Sequence, residues 1–307
     1  MTRPAATPAP ARRYLVGGTA FSARPLEPGL HVVATPIGNL RDITIRAVET
    51  LAAAHVVACE DTRVTRRLID HFGITVPLLP YHEHNAAEMR PKLLARLEAG
   101  EAVALCSDAG TPLVSDPGFK LVEAARAAGL AVVPVPGPSA VMAALVAAAL
   151  PTDAFFFDGF LPARTVGRRG RARALAGVPG SLVFFETGPR LAASLADLAA
   201  ELGDRPAAVC RELTKAHEEV RSASLGALAT HYAAAPEPKG EIVLVIGPPG
   251  EAPPPPADDV DAMLRAALAG HSVKDAAAAV AAATGLARRE LYQRALELAR
   301  GDAGGAP

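Results

Sequence analysis

The sequence predicts an α/β protein with two α/β domains followed by a small helical domain, and three observations lead to this prediction. With 307 residues, the chain is too long for one hydrophobic core, so two domains are the default expectation. Short apolar, β-branched runs alternate with helical patterns of about ten to fifteen residues, which is typical of βαβ units with parallel strands. A proline-rich stretch then separates the last predicted strand from three short helical patterns.

The chain begins with a stretch rich in Pro, Ala and Arg that contains no hydrophobic block. Residues 1–28 are therefore predicted to be a disordered leader and not a secretory signal, which needs a continuous apolar centre. Beyond them, apolar runs that end abruptly in small or polar residues predict the strands. These runs cover residues 31–34, 55–58, 102–105, 131–135, 181–185, 207–209 and 242–246.

The boundaries between the domains follow from where these runs end. Residues 155–157 are predicted to be either the final strand of the first domain or the entry to the second. The predicted α/β domains accordingly cover residues 29–157 and 158–249. A stiff, proline-rich linker is predicted at 250–257, and the helical domain covers residues 258–300.

Composition limits the class of protein and its partners. Half of the residues are hydrophobic and 21% are charged, which is the balance of a soluble globular protein. The formal net charge of −1 gives no whole-protein attraction to nucleic acid, so such binding must come from local basic clusters. Three cysteines without a close pair argue against a disulfide framework and a cysteine zinc site. No apolar run approaches the roughly 18–20 residues that cross a bilayer. We expect a cytoplasmic protein without membrane contact.

A turn-rich segment at 106–118 is the strongest indication of a binding site. It contains two Asp, two Gly and two Pro directly after a buried strand, where open α/β sheets place their ligands. The segment 136–139, Pro-Gly-Pro-Ser, begins a helix whose free N–H groups can bind a polar group. Neither Gly-x-Gly-x-x-Gly nor Gly-Lys-Ser/Thr occurs, which disfavours a dinucleotide dehydrogenase and a P-loop NTPase. The pattern predicts a site for a polar, nucleoside-like ligand.

Eight motifs occur in order along the chain. They are Ala-Thr-Pro-Ile-Gly-Asn-Leu at 34–40, Ala-Cys-Glu-Asp-Thr-Arg at 58–63, His-Glu-His-Asn at 82–85, Ser-Asp-Ala-Gly-Thr-Pro-Leu-Val-Ser-Asp-Pro-Gly at 107–118, Val-Pro-Gly-Pro-Ser-Ala at 135–140, Asp-Gly-Phe-Leu-Pro at 158–162, Arg-Glu-Leu-Thr-Lys at 211–215 and Lys-Gly-Glu at 239–241. Together, over roughly residues 30–250, they resemble the ribosomal RNA methyltransferases of the tetrapyrrole methylase superfamily. The resemblance implies two α/β domains with a methyl donor held in the cleft between them.

The resemblance also implies an activity and a cofactor. The activity is S-adenosylmethionine-dependent 2′-O-methylation of a cytidine in 16S ribosomal RNA, within the decoding centre, at position 1402 in the usual numbering. By position, the implied cofactor contacts are Pro36, Asp108, Thr111, Ser139, Ala140, Cys210 and Glu241. Gly110 is added because a glycine lets the backbone approach a ligand closely. Cys210 stands where the family usually has Ala, and 186–190 reads Glu-Thr-Gly-Pro-Arg in place of Glu-Ser-Pro-His-Arg.

The chemistry of the donor defines what the catalytic residues must do. Its sulfonium is already an activated leaving group, so no metal is needed, and the enzyme must align a ribose hydroxyl and accept its proton. The candidate bases lie just past predicted strand ends and are Glu60, Asp61, Glu186, Glu212 and Lys215. Lys215 can act only if burial or a cationic neighbour lowers its pKa. A surface ion pair or a helix cap is the alternative role for each of them.

The predicted RNA contacts are basic side chains near the domain joint, after the second strand and on the last helix. They are Arg63, His82, His84, Arg164, Arg168, Arg169, Arg190 and Arg289. Phe160 and Tyr81 are the best-placed aromatic residues for stacking on an unpaired base. A solvated basic loop is the alternative for residues 164–173, and a helical cap or dimer element is the alternative for the last helix.

Other functions stay open from the sequence alone. A small-molecule, corrin-type methylase would need neither the arginine clusters nor the helical domain. A metal-dependent hydrolase could use His82 and His84, which point the same way in an extended segment, although no third ligand with convincing spacing is present. A non-catalytic RNA-binding assembly factor could retain the same fold. The predicted partners are 16S ribosomal RNA in the small subunit and a second copy of the chain.

Overall fold

The computed structural model describes residues 12–250 and 256–303, and the chain divides into two units, residues 1–249 and 250–307. The predicted linker at 250–257 falls mostly outside the described residues. The first unit contains two five-stranded sheets and a small hairpin. No helix in the described ranges is long and apolar enough to cross a membrane.

A β-hairpin precedes the first sheet. Strands β1 (Arg13–Val16) and β2 (Thr19–Ser22) pair antiparallel around Gly17 and Gly18, whose φ angles of 57° and 83° suit a tight two-residue turn. Tyr14 is buried in the hydrophobic core of the first domain. The prediction of a disordered leader is therefore wrong for residues 13–22, because a two-glycine turn and one buried aromatic residue form a docked hairpin. Residues 1–11 lie outside the described ranges.

Replacing Tyr14 by Ala tests whether this hairpin belongs to the folded domain. We expect a loss of about 2 kcal/mol, below the roughly 3–5 kcal/mol of large core aromatic residues, because the hairpin can detach and no closed cavity is left. Thermal unfolding and protease cleavage before residue 28 measure the two effects. Phe21→Ala is the control, since Phe21 is 45% exposed although its ring stacks on Tyr14. Equal melting temperatures for Tyr14→Ala and the unmodified chain would contradict the docking.

The first sheet is entirely parallel, as the sequence predicts. Its strands are β3 (Gly29–Val33), β4 (Val56–Cys59), β5 (Leu78–Pro80), β6 (Ala102–Cys106) and β7 (Val132–Val135), in the order β5-β4-β6-β3-β7. The connecting helices are α1 (Ile45–Ala53), α2 (Thr62–His71), α3 (Ala86–Glu98), α4 (Phe119–Ala127) and α5 (Ala140–Ala148). Helices α1 and α2 pack on one face and α3 and α4 on the other, so both faces are covered, and the central strands β4 and β6 are continuously apolar.

The second sheet is mostly antiparallel, whereas the sequence predicted parallel strands, so that prediction is wrong here. Its strands are β8 (Phe155–Phe160), β9 (Ser181–Thr187), β10 (Pro206–Arg211), β11 (Glu219–Ser224) and β12 (Glu241–Ile246), in the order β11-β10-β12-β9-β8. Only β8 and β9 are parallel. The helices of this domain are α6 (Thr165–Leu175), α7 (Gly188–Leu202) and α8 (Leu225–Ala234). An apolar run indicates a buried strand but not its direction, and this explains the error.

Two further details of the second sheet correct the predicted boundaries. Residues 155–157 begin β8 and pair with β9, so the predicted boundary at 157/158 falls inside a strand of the second sheet. Strand β11 was not predicted, because its side chains are largely exposed and it has no apolar run. Helix α5 follows the last strand of the first sheet yet packs on β10 and β12, so it joins the two sheets.

In the second unit, residues 250–307, the described residues form three helices. They are α9 (Ala257–Leu268), α10 (Val273–Thr284) and α11 (Arg288–Ala303), and the helical domain was predicted at 258–300. Ser272 caps α10 by accepting a hydrogen bond from the Asp275 amide at 3.2 Å, and Gly285 ends it with a φ of 72°. Leu264, Ala277 and Leu291 lie in its small apolar core.

Candidate active site

A cavity of about 270 Å³ lies between the two sheets of the first unit. Loops that follow β3, β6 and β7 form one wall, at the carboxyl ends of the parallel strands. Strands β8, β9 and β12 form the other wall. Residues that line the cavity include Ile37, Gly110, Thr111, Asp116, Ser139, Ala140, Phe160, Phe185, Glu241 and Val243.

The loop at 107–118 is held by hydrogen bonds to the two neighbouring loops. Thr35 and Gly110 exchange both backbone hydrogen bonds, at 2.8 and 3.0 Å, and the Thr111 hydroxyl donates to the Pro138 carbonyl at 3.1 Å. Leu113 and Ser115 have φ angles of 74° and 61°, which non-glycine residues rarely adopt. Such strain is kept where the surrounding structure imposes it, and it is concentrated at functional sites.

Five of the eight predicted cofactor contacts line this cavity. They are Gly110, Thr111, Ser139, Ala140 and Glu241. Sequence reasoning missed Ile37, Phe185 and Val243, which supply apolar surface. A signal for Ile37 was present, because it lies in the same motif as Pro36.

The other three predicted cofactor residues, Pro36, Asp108 and Cys210, do not line this cavity. Cys210 is fully buried against α5, its thiol 3.9 Å from the Ala144 carbonyl, and burial raises its pKa to about 11. Pro36 is buried and does not line the cavity, whereas the next residue does. Asp108 accepts a hydrogen bond from the Asp61 amide at 3.0 Å. Its carboxylate therefore joins the ends of β4 and β6.

Lys215 lies between two carboxylates at the cavity rim. Its Nζ is 2.7 Å from Glu212 Oε1 and 2.9 Å from Glu241 Oε2. Burial lowers the pKa of Lys215, but the hydrogen bonds and charges of Glu212 and Glu241 outweigh burial and raise it. The hydrogen bond from Lys215 lowers the pKa of Glu212, as does the Glu241 amide. Neither Lys215 nor Glu212 is suited to accept a proton, so both predicted bases are corrected to an ion-pair role.

Glu186 is also corrected as a candidate base. Glu186 contributes to the cavity lining, but its side chain is fully buried and engaged: Ser194 Oγ of α7 donates to Oε2 at 2.5 Å and the Thr187 amide donates to Oε1 at 2.9 Å. Arg190 pairs with the same carboxylate at 3.2 Å and also donates to the Leu161 carbonyl. The Arg190 guanidinium is therefore used inside the domain, and the predicted RNA contact there is wrong.

Carboxylates cluster at the ends of β4 and β6. Hydrogen bonds from Arg63 lower the pKa of Asp61 to about 2, which makes Asp61 a weak base. Burial, followed by the charge of Asp108, raises the pKa of Glu60, while His82 opposes the rise. Burial, with the charges of Glu60 and Asp108, raises the pKa of Asp116 to about 6. Sequence reasoning missed Asp116, although it shares a motif with Asp108.

Most arginines of the predicted basic loop have acidic partners. Arg168 is buried and bonded to Asp197 at 2.6 Å, so its predicted RNA contact is wrong. Arg169 also binds Asp197, Arg171 binds Asp158, and Arg173 binds Glu201. Arg164 and Arg63 are exposed, and Arg63 pairs with Asp61. Arg289 is exposed on α11 of the second unit.

The structure also bears on the predicted roles of the histidines as metal ligands and of the aromatic residues as stacking partners. The His82 and His84 rings are 6.1 Å apart, and the described residues contain no group of three or more His, Cys, Asp or Glu that could hold a metal ion. The hydrolase interpretation thus finds no third ligand in this part of the chain. Tyr81 is 2% exposed and cannot stack on a base, whereas Phe160 is 54% exposed beside the cavity.

Comparisons with known proteins agree with this architecture. The family model of Tetrapyrrole (Corrin/Porphyrin) Methylases matches residues 29–229, and that of the RsmI C-terminal HTH domain matches residues 254–299. A cobalt precorrin-4 methyltransferase structure has a TM-score of 0.55 at 20% identity, over 71% of this chain and 94% of that one. A uroporphyrin-III C-methyltransferase from Thermus thermophilus, complexed with S-adenyl homocysteine, has a TM-score of 0.51 at 20% identity, over 71% and 97%. The fold and the cavity at the strand ends therefore define a tetrapyrrole-type methylase.

Closer relatives identify the branch of this class. The "Ribosomal RNA small subunit methyltransferase I" of Mesorhizobium japonicum is 55% identical over 92% of this chain and 97% of its own length. The protein of the same name from Pseudomonas aeruginosa is 47% identical over 87% and 96%. The chain belongs to the ribosomal RNA small subunit methyltransferase I family.

Proposed function

We propose that the chain transfers a methyl group from S-adenosylmethionine to the ribose 2′-oxygen of a cytidine in small-subunit ribosomal RNA, at position 1402 in the usual numbering. The observation that carries the proposal is the cavity between the two sheets in a chain 55% identical to a protein named for small-subunit rRNA methylation. A distant fold neighbour is described in complex with S-adenyl homocysteine, the demethylated donor. A corrin-type substrate is the second candidate, because the fold neighbours include methylases of that kind.

The cavity lining fits the chemical groups of this cofactor. Ile37, Phe185 and Val243 supply apolar surface for an adenine ring. Ser139 begins α5 without a side-chain cap, so N–H groups of the first helical turn are available to a carboxylate. The carboxylates of Asp116 and Glu241 on the lining attract a sulfonium and an ammonium group. When bound, the cofactor supplies a methyl group on a positively charged sulfur.

The other tasks fall to the residues of the chain. The loop at 107–118 and the start of α5 orient the donor from one side, and the β12 edge closes the other side. Phe160 offers an exposed ring beside the cavity on which an unpaired base can stack. Fixing a hydroxyl in line with the methyl group supplies a large share of rate enhancement, roughly 7–11 kcal/mol in favourable intramolecular cases.

The test uses small subunits from cells that lack the gene. The purified chain is incubated with these subunits and radiolabelled S-adenosylmethionine, and the RNA nucleosides are analysed by mass spectrometry. We expect one methyl group per subunit and 2′-O-methylcytidine as the product. Methylation of a base, or methylation of a tetrapyrrole in place of RNA under the same conditions, would reject the proposal. Calorimetry with S-adenosylmethionine separates an enzyme from an RNA-binding factor that does not bind the donor.

Exposed arginines near the cavity define the expected RNA surface. Changing Arg63 and Arg164 together to Ala should weaken binding to the small subunit and reduce its salt dependence by roughly 1.5–2 in the log–log slope, as expected for two lost phosphate contacts. Calorimetric affinity for S-adenosylmethionine should be unchanged. Arg173→Ala is the matched control for the loss of an exposed, ion-paired arginine, because Arg173 binds Glu201 at 3.0 Å as Arg63 binds Asp61 at 2.6 Å. If the double variant and the control bind subunits alike, these arginines lie outside the RNA surface.

A homodimer belongs to the same proposal, as sequence analysis predicts. Sedimentation of the full chain should then give twice the 31.5 kDa of one copy. A protein that modifies ribosomal subunits is also expected in the cytoplasm, where those subunits are. A sedimenting mass of one copy at micromolar concentration would remove the dimer from the proposal.

A further inference from the structure

Asp116 occupies a defined position on the wall of the cavity. It lies between Ser115, which has a φ of 61°, and Pro117, which restricts the residue before it to an extended backbone. The Ser115 hydroxyl lies against Gly159 of β8. A Cβ atom added at Gly159 would be only 2.9 Å from Ser115 Oγ. The loop that carries Asp116 is therefore supported from the opposite domain.

Four other carboxylates near the cavity are already engaged. Glu186 is buried against α7, Glu212 and Glu241 bind Lys215, and Asp61 binds Arg63. In the described ranges, no Lys, Arg or His lies within ion-pair distance of Asp116. The charged groups that face it are the carboxylates of Glu60 and Asp108 at the ends of β4 and β6. Asp116 is thus a cavity carboxylate without a cationic partner.

We propose that Asp116 is the catalytic residue that accepts the proton of the attacking hydroxyl, an inference that rests on the proposed function. The hydroxyl oxygen forms a bond to the methyl carbon while the carbon–sulfur bond breaks. The electron pair of that bond stays on sulfur, which becomes a neutral thioether. The hydroxyl proton passes to the Asp116 carboxylate, so one positive and one negative charge disappear together.

The surroundings of Asp116 suit this role. A general base works best when its pKa is close to the working pH, and burial with Glu60 and Asp108 raises the pKa of Asp116 to about 6. At pH 7.5 the carboxylate is ionised and ready to accept a proton. The bound sulfonium would lower this pKa, and its charge disappears as the proton is transferred, which favours the transfer.

Asp116→Asn tests the assignment because Asn has the same shape and cannot accept the proton. Single-turnover methyl transfer to small subunits is measured between pH 5 and 9, together with calorimetric affinity for S-adenosylmethionine. We expect the single-turnover rate of the variant at saturating S-adenosylmethionine to fall by about 10²–10⁴-fold, while loss of the negative charge weakens cofactor affinity by a much smaller factor. The decline of the wild-type rate as the pH falls through the pKa of Asp116 in the cofactor complex should be absent from the residual activity. Asp116→Glu should restore part of the rate.

Two outcomes would overturn the assignment. One is an Asp116→Asn rate within about threefold of wild type; the other is an unchanged acid limb in the pH profile of that variant. Glu123→Gln, which changes an exposed carboxylate on α4, is the control and should keep the full rate. If the wild-type chain binds S-adenosylmethionine yet methylates no small-subunit RNA, the proposed function fails, and this role fails with it.

Discussion

Replacing Asp197 by Ala should destabilise the first unit by about 3–5 kcal/mol. The Asp197 carboxylate binds Arg168 at 2.6 Å, and both side chains are at least nine-tenths buried, with exposed fractions of 6% and 4%. Removing one partner of a buried pair leaves an uncompensated charge, which costs far more than the pair itself contributes. Arg168 keeps only its hydrogen bonds to Thr165 and to the Pro162 and Ala163 carbonyls. The main thermal transition should fall by roughly 10 °C.

The matched control is Glu201→Ala, which removes the partner of Arg173. The Arg173 side chain is 71% exposed, so its pair with Glu201 contributes about 0–1 kcal/mol. Hydrogen bonds from Arg169 and Arg168 outweigh burial and lower the pKa of Asp197, so the stability from this pair is lost as pH falls. Equal effects of the Asp197 and Glu201 variants would show that Arg168 is hydrated in solution.

The same pair shows where sequence reasoning about the RNA surface reached its limit. The run of arginines at 164–173 predicts a basic surface, and the composition of that run is all that sequence provides. Its partners Asp197 and Glu201 lie about 28 residues further along the chain, on a different helix. Helical periodicity does not show which helix packs against which. The neutralisation of these arginines by carboxylates of another helix could therefore not be predicted from the sequence.

The site could be predicted to the level of its loops but not of its side chains. The motifs at 107–118 and 135–140 indicate strand ends that meet at one edge of a parallel sheet, and residues of both line the cavity. Which face of a strand a side chain occupies depends on register. Cys210 and Glu186 each lie on a strand beside the cavity, yet one side chain packs under α5 and the other under α7.

The fold was predicted best where connections are regular. Each strand of the first sheet is followed by a helix, and a crossover of this kind lets successive strands run parallel. In the second sheet, β10 and β11 are joined by the short segment 212–218, which is too short for a crossover helix and requires an antiparallel pair. The exposed residues of β11 gave no apolar run to indicate that a strand was present.

Asp116→Asn should stabilise the protein at neutral and alkaline pH while it removes activity. In the folded state, burial and the charges of Glu60 and Asp108 raise the pKa of Asp116 from 3.8 to about 6. The folded state therefore keeps the proton at a pH where the unfolded chain has lost it. The contribution of Asp116 to the free energy of unfolding is therefore highest below about pH 4 and falls as the pH rises to about 6.

The size of the effect follows from the shift. A change of roughly two pKa units corresponds to at most about 3 kcal/mol. Asp116 is only half-buried, so solvent screening reduces the expected gain of the Asn variant at pH 8 to about 1 kcal/mol. Its melting temperature should rise by roughly 2–4 °C at pH 8 and stay unchanged at pH 4. Glu123→Gln on the exposed face of α4 should show no such pH-dependent gain.

A gain in stability together with a loss of turnover would indicate that the cluster of Asp116, Glu60 and Asp108 is retained for chemistry. Repulsion among these carboxylates costs folding free energy, and a protein keeps such a cost where a reactive group needs a raised pKa. If Asp116→Asn instead lowers the melting temperature equally at pH 4 and pH 8, the carboxylate holds the loop at 107–118 through hydrogen bonds. Its role would then be structural, and Glu60, whose pKa burial also raises, would be the next carboxylate to test.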